Sequence, residues 1–381
     1  MKKLFYIGVA GLALFEIANV YFIMPMPGSQ RMNSLGFAYF LYSYRWVFRI
    51  IFGLGIISGL APAFKGKRKW VPVLLLITSA GITYVFNFIM SADQMFLQPK
   101  QLVFQSKEGN TLNDSSVVVG VVNNGQVKAY PVRLILYHHQ VQDTIGGKHI
   151  IATYCNVCRT GRVYEPIVKG KFEKFRLVGM DHFNAMLEDM STQSWWRQVN
   201  GEAVTGKLKG EVLPEMESMQ MTIKKLFELF PNARVMQEDI TSKSHYDTLG
   251  RFEKGKSKGN LTRTDSVSWQ DKSWVVGVEV TGKTKAYDWN QLKKMRIIND
   301  MVGNQPIALV LASDNQSYFA FARKTNEAYT LKNDSIFSAD NVFDFSGRGI
   351  THPAQHLKRL KASQEFWHSW KTFYPDTEVF K

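Results

Sequence analysis

Three long apolar runs open the chain and short alternating ones follow, so the period of the hydrophobic pattern divides it in two. Leu4 to Met24 is 21 residues interrupted only by Glu16 and Asn19, Trp46 to Phe64 is 19 with Arg49 near its start, and Trp70 to Met90 is 21 with Asn87 near its end. At about 1.5 Å per residue each run matches a hydrocarbon core of roughly 30 Å, which predicts three transmembrane helices within residues 1–94. Met24, Pro25, Met26 and Pro27 offer no small-x-small cleavage site, so the first span is read as an uncleaved anchor. Glu16 inside that span calls for a polar partner in the membrane; Arg49 is the candidate, and gluing the bundle is the expected role.

After residue 95 the pattern becomes that of strands. Val117 to Val122 is a β-branched run, Asn123 to Gly125 a hairpin turn signal and Gln126 to Tyr130 a return strand. A short helix from Pro131, a strand near Val141, a turn at Gly146 and Gly147 and a buried strand from His149 to Cys155 complete the series. At an offset of 157 residues, Gly120, Val121, Lys128, Ala129, Tyr130, Asp143 and Gly146 recur as Gly277, Val278, Lys285, Ala286, Tyr287, Asp300 and Gly303. The expected fold is therefore three N-terminal transmembrane helices plus an α+β, β-rich extracytoplasmic domain of two internally repeated lobes. The boundaries are a membrane anchor over 1–94, lobe 1 with the C-x-x-C over 95–236, a polar linker or insertion over 237–268, and lobe 2 without cysteines over 269–381.

Charge then gives the orientation. The net charge is +15, of which residues 1–94 carry +7, concentrated at Lys2 and Lys3 and in the five-residue loop Lys65 to Lys69. Basic residues flanking short loops stay in the cytoplasm, which places the β-rich domain on the periplasmic or extracytoplasmic face of the inner membrane. The remaining +8 is spread over 287 residues with no arginine-rich or aromatic-interleaved stripe, so no nucleic acid is expected as a partner. The lipid bilayer and other envelope membrane proteins are the expected ones. Gly250 to Ser257 satisfies G-x-x-x-x-G-K-S, yet no apolar strand precedes it and no helix is expected after it, so no nucleotide is expected.

The only cysteines are Cys155 and Cys158. A C-x-x-C pair closes a disulfide, exchanges thiols or holds a soft metal, and a second pair for a Cys₄ zinc site is absent. Copper or zinc through Cys155, Cys158 and His138 is one expectation, since thiolate and imidazole suit both and thiolates favour Cu(I). His139, Arg159 and Thr160 are candidates for the surrounding shell. His149 shares a strand face with Cys155 but lies six residues off, roughly 20 Å at the rise of a strand, too far to join a metal set. At the 157 offset Cys155, Cys158 and His138 become Ala312, Asn315 and Met295, so the scaffold does not need these residues to fold.

The motifs carry a resemblance. Ala129-Tyr130-Pro131, His138 with Asp143, Tyr154-Cys155-x-x-Cys158-x-Thr160, and Asp189 followed by Thr192, Ser194, Trp196, Gln198, Gly201, Glu202 and Ala203 are similar to a prokaryotic envelope-protein family catalogued only as a domain of unknown function. Its signature is AYP, HEIVND, TYCPLCGT and DRxTxSxWxQxxGEA. The resemblance covers about 100 to 381 and implies an envelope location and a two-lobed domain, with Asp189 and Trp196 added to the candidate shell. Asn156 and Arg159 stand where the family has Pro and Gly, His139 where it has Glu, and Met190 where it has Arg. Three functions stay open: soft-metal binding or thiol redox at a Cys/Cys/His site, a non-catalytic scaffold subunit of an envelope membrane complex, and a thiolate-dependent enzyme.

Overall fold

In a computed structural model describing residues 1–381, contacts group the chain into two compact units. The first comprises Met1–Leu97, Lys174–Arg197 and Glu202–Val212, and the second Gln98–Glu173, Gln198–Gly201 and Leu213–Lys381. The boundaries read along the sequence follow the chain, whereas the units follow space: a sheet from the middle of the chain belongs with the N-terminal helices.

The main helices of the N-terminal part of the first unit are α1 (Lys2–Tyr21), α2 (Leu35–Ser43), α3 (Arg45–Phe64) and α4 (Trp70–Tyr84), with one short turn of helix, Ala92–Met95, after them. Lys2–Tyr21, Arg45–Phe64 and Trp70–Ile89 are long and apolar enough to cross a membrane. The first helix stops at Tyr21, short of the expected Met24, because the chain turns toward Pro25 and Pro27 with Ile23 and Met24 both donating to Val20 O. Helices α1 and α3 approach backbone to backbone at glycines. A Cβ on Gly59 would stand 2.3 Å from Phe5 N, and one on Gly8 would stand 2.7 Å from Phe52 O. Gly55 and Gly59 form a G-x-x-x-G stripe on α3, a pattern that allows close helix packing where no hydrophobic effect drives it.

Glu16, Arg49 and Asn87 close a polar triad among these helices. Arg49 donates to Glu16 through Nε at 2.7 Å and Nη2 at 3.0 Å, and also to Asn87 Oδ1 at 2.6 Å, while Asn87 Nδ2 donates to Glu16 Oε2 at 2.9 Å. Asn87 reaches them from a π-helical turn, Val85–Ile89, which replaces the expected regular end of the third span. The rest of the unit is an antiparallel sheet in the order Ala203–Thr205, Trp195–Arg197, Asn184–Asp189, Phe175–Asp181. It is fastened to the chain beyond α1, where Met180 N donates to Ile23 O at 2.7 Å and Phe183 N to Gln30 Oε1 at 3.1 Å.

The second unit is built of small sheets. A five-stranded one runs Phe104–Gln105, Arg234–Met236, Gln126–Pro131, Val117–Asn123, Ser218–Thr222, and a four-stranded one Lys361–Phe366, Trp274–Val280, Lys283–Asp288, Glu378–Val379. Gln126–Pro131 leads into the helix Val132–His138, as Lys283–Asp288 leads into Trp289–Met295. Each helix is followed by a three-stranded antiparallel sheet: Gln140–Ile145, Lys148–Cys155, Thr160–Tyr164 after the first, and Ile297–Val302, Gln305–Leu311, Tyr318–Ala322 after the second. The segment 237–268, read as a polar linker, contains the helix Lys243–Glu253, which buries Tyr246, Phe252 and Glu253. Gly250 lies within that helix and Gly255 just beyond it at φ +64°, so the helix precedes the G-K-S, the reverse of a phosphate cradle.

Candidate functional site

The cysteine turn is set by a strand pair and a left-handed residue. Lys148–Cys155 and Thr160–Tyr164 pair antiparallel with Cys155 opposite Thr160, so Asn156 to Arg159 must reverse the chain, and Arg159 takes φ +58° to do so. Both cysteines are fully buried and stand as two thiols, with no disulfide between them. The Cys158 thiol is hydrogen-bonded to that of Cys155 and to Ser369. Burial, followed by the adjacent Cys155, pushes Cys158 well above the usual thiol range.

Residues far along the chain complete the surroundings. Phe366 N donates to Cys158 O at 2.9 Å, which ties the turn to the strand Lys361–Phe366. Behind it lies Glu365, wholly buried; its Oε1 accepts from Arg162 Nη2 at 2.8 Å and its Oε2 from Ser369 Oγ at 2.9 Å. Burial raises the Glu365 carboxyl and the Arg162 charge opposes the rise. Lys272 Nζ donates to Val157 O at 2.7 Å and to Leu261 O at 2.6 Å, and lies 3.1 Å from His368 Nε2. Burial lowers Lys272 to about 8, against the pull of the two nearby sulfurs, Cys158 and Cys155. His368 is lowered to about 4, first by burial and then by the Lys272 charge.

The shell candidates divide. Thr160 is buried against this cluster, with its hydroxyl donating to Cys158 O at 3.4 Å. Arg159, 2% exposed, has its Cζ 3.5 Å from the Trp274 ring centre; its Nε donates to Gln364 Oε1, and Nη1 and Nη2 donate to the carbonyls of Phe252 and Glu253. His139 has its Nδ1 3.2 Å from Tyr137 O, and burial lowers it to about 4. His138 turns elsewhere: its Nε2 is 2.6 Å from the Tyr246 hydroxyl. No group of three or more His, Cys, Asp or Glu side chains is arranged to hold a metal ion. Asp189 and Trp196 belong to the first unit and meet each other there. Asp189 Oδ2 accepts from Trp196 Nε1 at 2.9 Å, Thr192 Oγ1 at 2.8 Å and Ser194 N at 3.1 Å, the pattern of a carboxylate that fixes a turn.

Lys272, Glu365, His368 and Ser369 were not among the residues singled out from the sequence. Their one signal was a charged Glu365 between the apolar strand position Phe366 and the polar pair Ser363 and Gln364, a burial that strand alternation alone does not reveal.

Fold and site together define a β-rich domain with a buried thiol pair, joined to helices fit to cross a membrane. The chain belongs to the family described as "Protein of unknown function (DUF3179)", which it matches over residues 99–377. No curated protein and no solved structure matches it.

Proposed function

We propose that this is an inner-membrane protein with its β-rich domain on the extracytoplasmic side, and that Cys155 and Cys158 work as a redox pair cycling between dithiol and disulfide. The observation that carries the reading is a pair of buried free thiols on one tight turn, with the Lys272 ammonium donating to the Val157 carbonyl between them. The Lys272 charge beside the two sulfurs opposes the burial that disfavours their thiolates, and the thiolate is the attacking species in thiol exchange. In the oxidising step one thiolate attacks a partner's disulfide and expels one partner thiolate. The second cysteine then attacks the mixed disulfide and releases the other. Two protons leave this site, two partner thiols are made, and Cys155 and Cys158 are left joined. The orientation is supported by the basic loop Lys65 to Lys69 and by Lys2 and Lys3.

The internal repeat is part of the proposal. It is supported by matching ion pairs, Lys128 with Asp143 and Lys285 with Asp300, each at 2.8 Å, and by Tyr130 and Tyr287 donating to the same two aspartates. Only the first lobe carries the cysteines.

The test is to equilibrate the full chain in glutathione buffers of stepped potential, then unfold it, alkylate and weigh it. The expected result is a reversible loss of two alkylatable thiols with one midpoint. Thiols alkylated at every potential, or a disulfide intact at every potential, would sink the redox reading; wild-type behaviour of the Cys155→Ser/Cys158→Ser double variant in cells would favour a scaffold role instead. A second reading, Cu(I) held by two thiolates, is favoured by Lys272, whose charge would offset that of an anionic bis-thiolate complex. Retention of Cu(I) against a competing chelator, lost in Cys155→Ala, distinguishes it.

A further inference from the structure

We propose that the first unit holds a phospholipid headgroup at the end of the spans away from the Lys65 to Lys69 loop, recognising a headgroup that has a hydrogen-bond donor beyond its phosphate. The proposal rests on the reading that the three helices cross a membrane.

A cavity of about 100 Å³ opens where α1, α2, α3 and the turn after α4 converge, lined by Asn19, Tyr42, Arg45, Asn87, Ser91 and Arg176, with Ile23, Met24 and Phe86 as its apolar wall. A water's share of liquid volume is about 30 Å³, so the space suits the polar end of a headgroup and excludes acyl chains.

Two features point to its ligand. Asn19, 8% exposed, has a buried Oδ1 that accepts from nothing. Buried acceptors are paired in folded proteins, so this oxygen suits a ligand that brings a donor. Arg45 is the second feature. Arg49 is paired with Glu16, and Arg176 with Glu188 and Asp93, whereas Arg45 donates only to Tyr42 O at 2.6 Å and lies 4.0 Å from the Tyr42 ring centre. A guanidinium with unused donors and a carboxamide oxygen lacking one face the same small cavity. An anionic phosphate satisfies the first and a nearby N–H or O–H the second.

The location agrees. Arg45 opens α3, Asn19 lies in the last turn of α1, and the exposed Tyr44, Trp46 and Tyr84 form the aromatic belt expected at headgroup depth. Ethanolamine and glycerol headgroups both combine a phosphate with a donor, while choline has the phosphate and a cation without N–H.

The test uses the full chain in detergent, delipidated and then offered phosphatidylethanolamine, phosphatidylglycerol or phosphatidylcholine, with retained lipid counted by native mass spectrometry. Wild type should retain the ethanolamine or the glycerol lipid roughly tenfold over the choline lipid, the scale of one hydrogen bond involving a charged group. Whichever of the two is retained identifies the donor as ammonium or hydroxyl. Asn19→Leu, a change a membrane helix tolerates, should bring that lipid down to the choline level, and Arg45→Gln should lower all three. Arg31→Gln, an exposed cation outside the cavity, serves as control. Equal retention of the three lipids by wild type, or unaltered retention in both cavity variants, would overturn the proposal.

Discussion

At the scale of single residues, burial is the dominant influence on charge. His139 and His368 are both held near 4, well below the ordinary histidine value, so they stay neutral in the folded chain at neutral pH. The unfolded chain takes up its protons first as pH falls. Stability from each histidine is therefore complete above about pH 6.5 and drains away toward pH 4, by an amount on the order of 3 kcal/mol per group. Denaturant midpoints measured across that range should fall with acid, and His139→Gln or His368→Gln should each flatten the slope. Glu16 tests a different balance. Glu16→Leu leaves the Arg49 guanidinium facing Asn87 with its carboxylate gone, and should cost about 3 kcal/mol in detergent unfolding. Glu16→Leu/Arg49→Leu should cost less than the single change; a double variant worse than the single would remove the argument. The Glu16 to Arg49 pairing was legible in the sequence, because each residue interrupts an apolar run. Asn87 was visible as an interruption too, but its partners were not, because a π-turn re-aims it. The surroundings of His138 were hidden for a similar reason, since its ring meets Tyr246 from a distant helix. Closeness along the chain put it near the cysteines, whose neighbours Lys272 and His368 lie more than 100 residues downstream.

At the scale of elements, the helix Lys243–Glu253 and the cysteine turn hold each other. Arg159 donates to the carbonyls of Phe252 and Glu253, groups that a helix C-terminus leaves without intrahelical partners, and Lys272 ties Leu261 to Val157. The thiols on that turn have no solvent exposure of their own, and we expect loosening of these ties to open them. Arg159→Ala should therefore speed alkylation of Cys155 and Cys158 at least tenfold in the folded protein, with circular dichroism unchanged, and an unaltered rate would show that access lies elsewhere. A tight fit also predicts intolerance: a Cβ on Gly277 would stand 2.1 Å from the Trp370 ring, so Gly277→Ala should destabilise by about 1 to 3 kcal/mol in thermal unfolding. The strands and short helices were readable because β-branched runs, hairpin turns and the duplicated spacing agree with one another. The helix inside 237–268 was not, since its apolar residues are few and their burial depends on what they meet.

At the scale of the molecule, the helices and the family were the most legible features and the grouping into units the least. Nothing in the local pattern of Lys174–Arg197 indicates that it packs with the N-terminal helices, because that association rests on contacts such as Met180 with Ile23, distant in sequence.

The bond from Phe366 N to Cys158 O has a consequence for biogenesis. The strand that shelters the thiols is made about 200 residues after them. Until it arrives the cysteine turn lacks one wall, and contacts this remote in sequence form slowly. The thiols thus pass through a period of open exposure, in which they meet whatever oxidant the compartment offers, before the finished fold slows access to them. A nascent chain halted at Leu360 should label readily at both cysteines, and one that includes the strand Lys361–Phe366 should label more slowly.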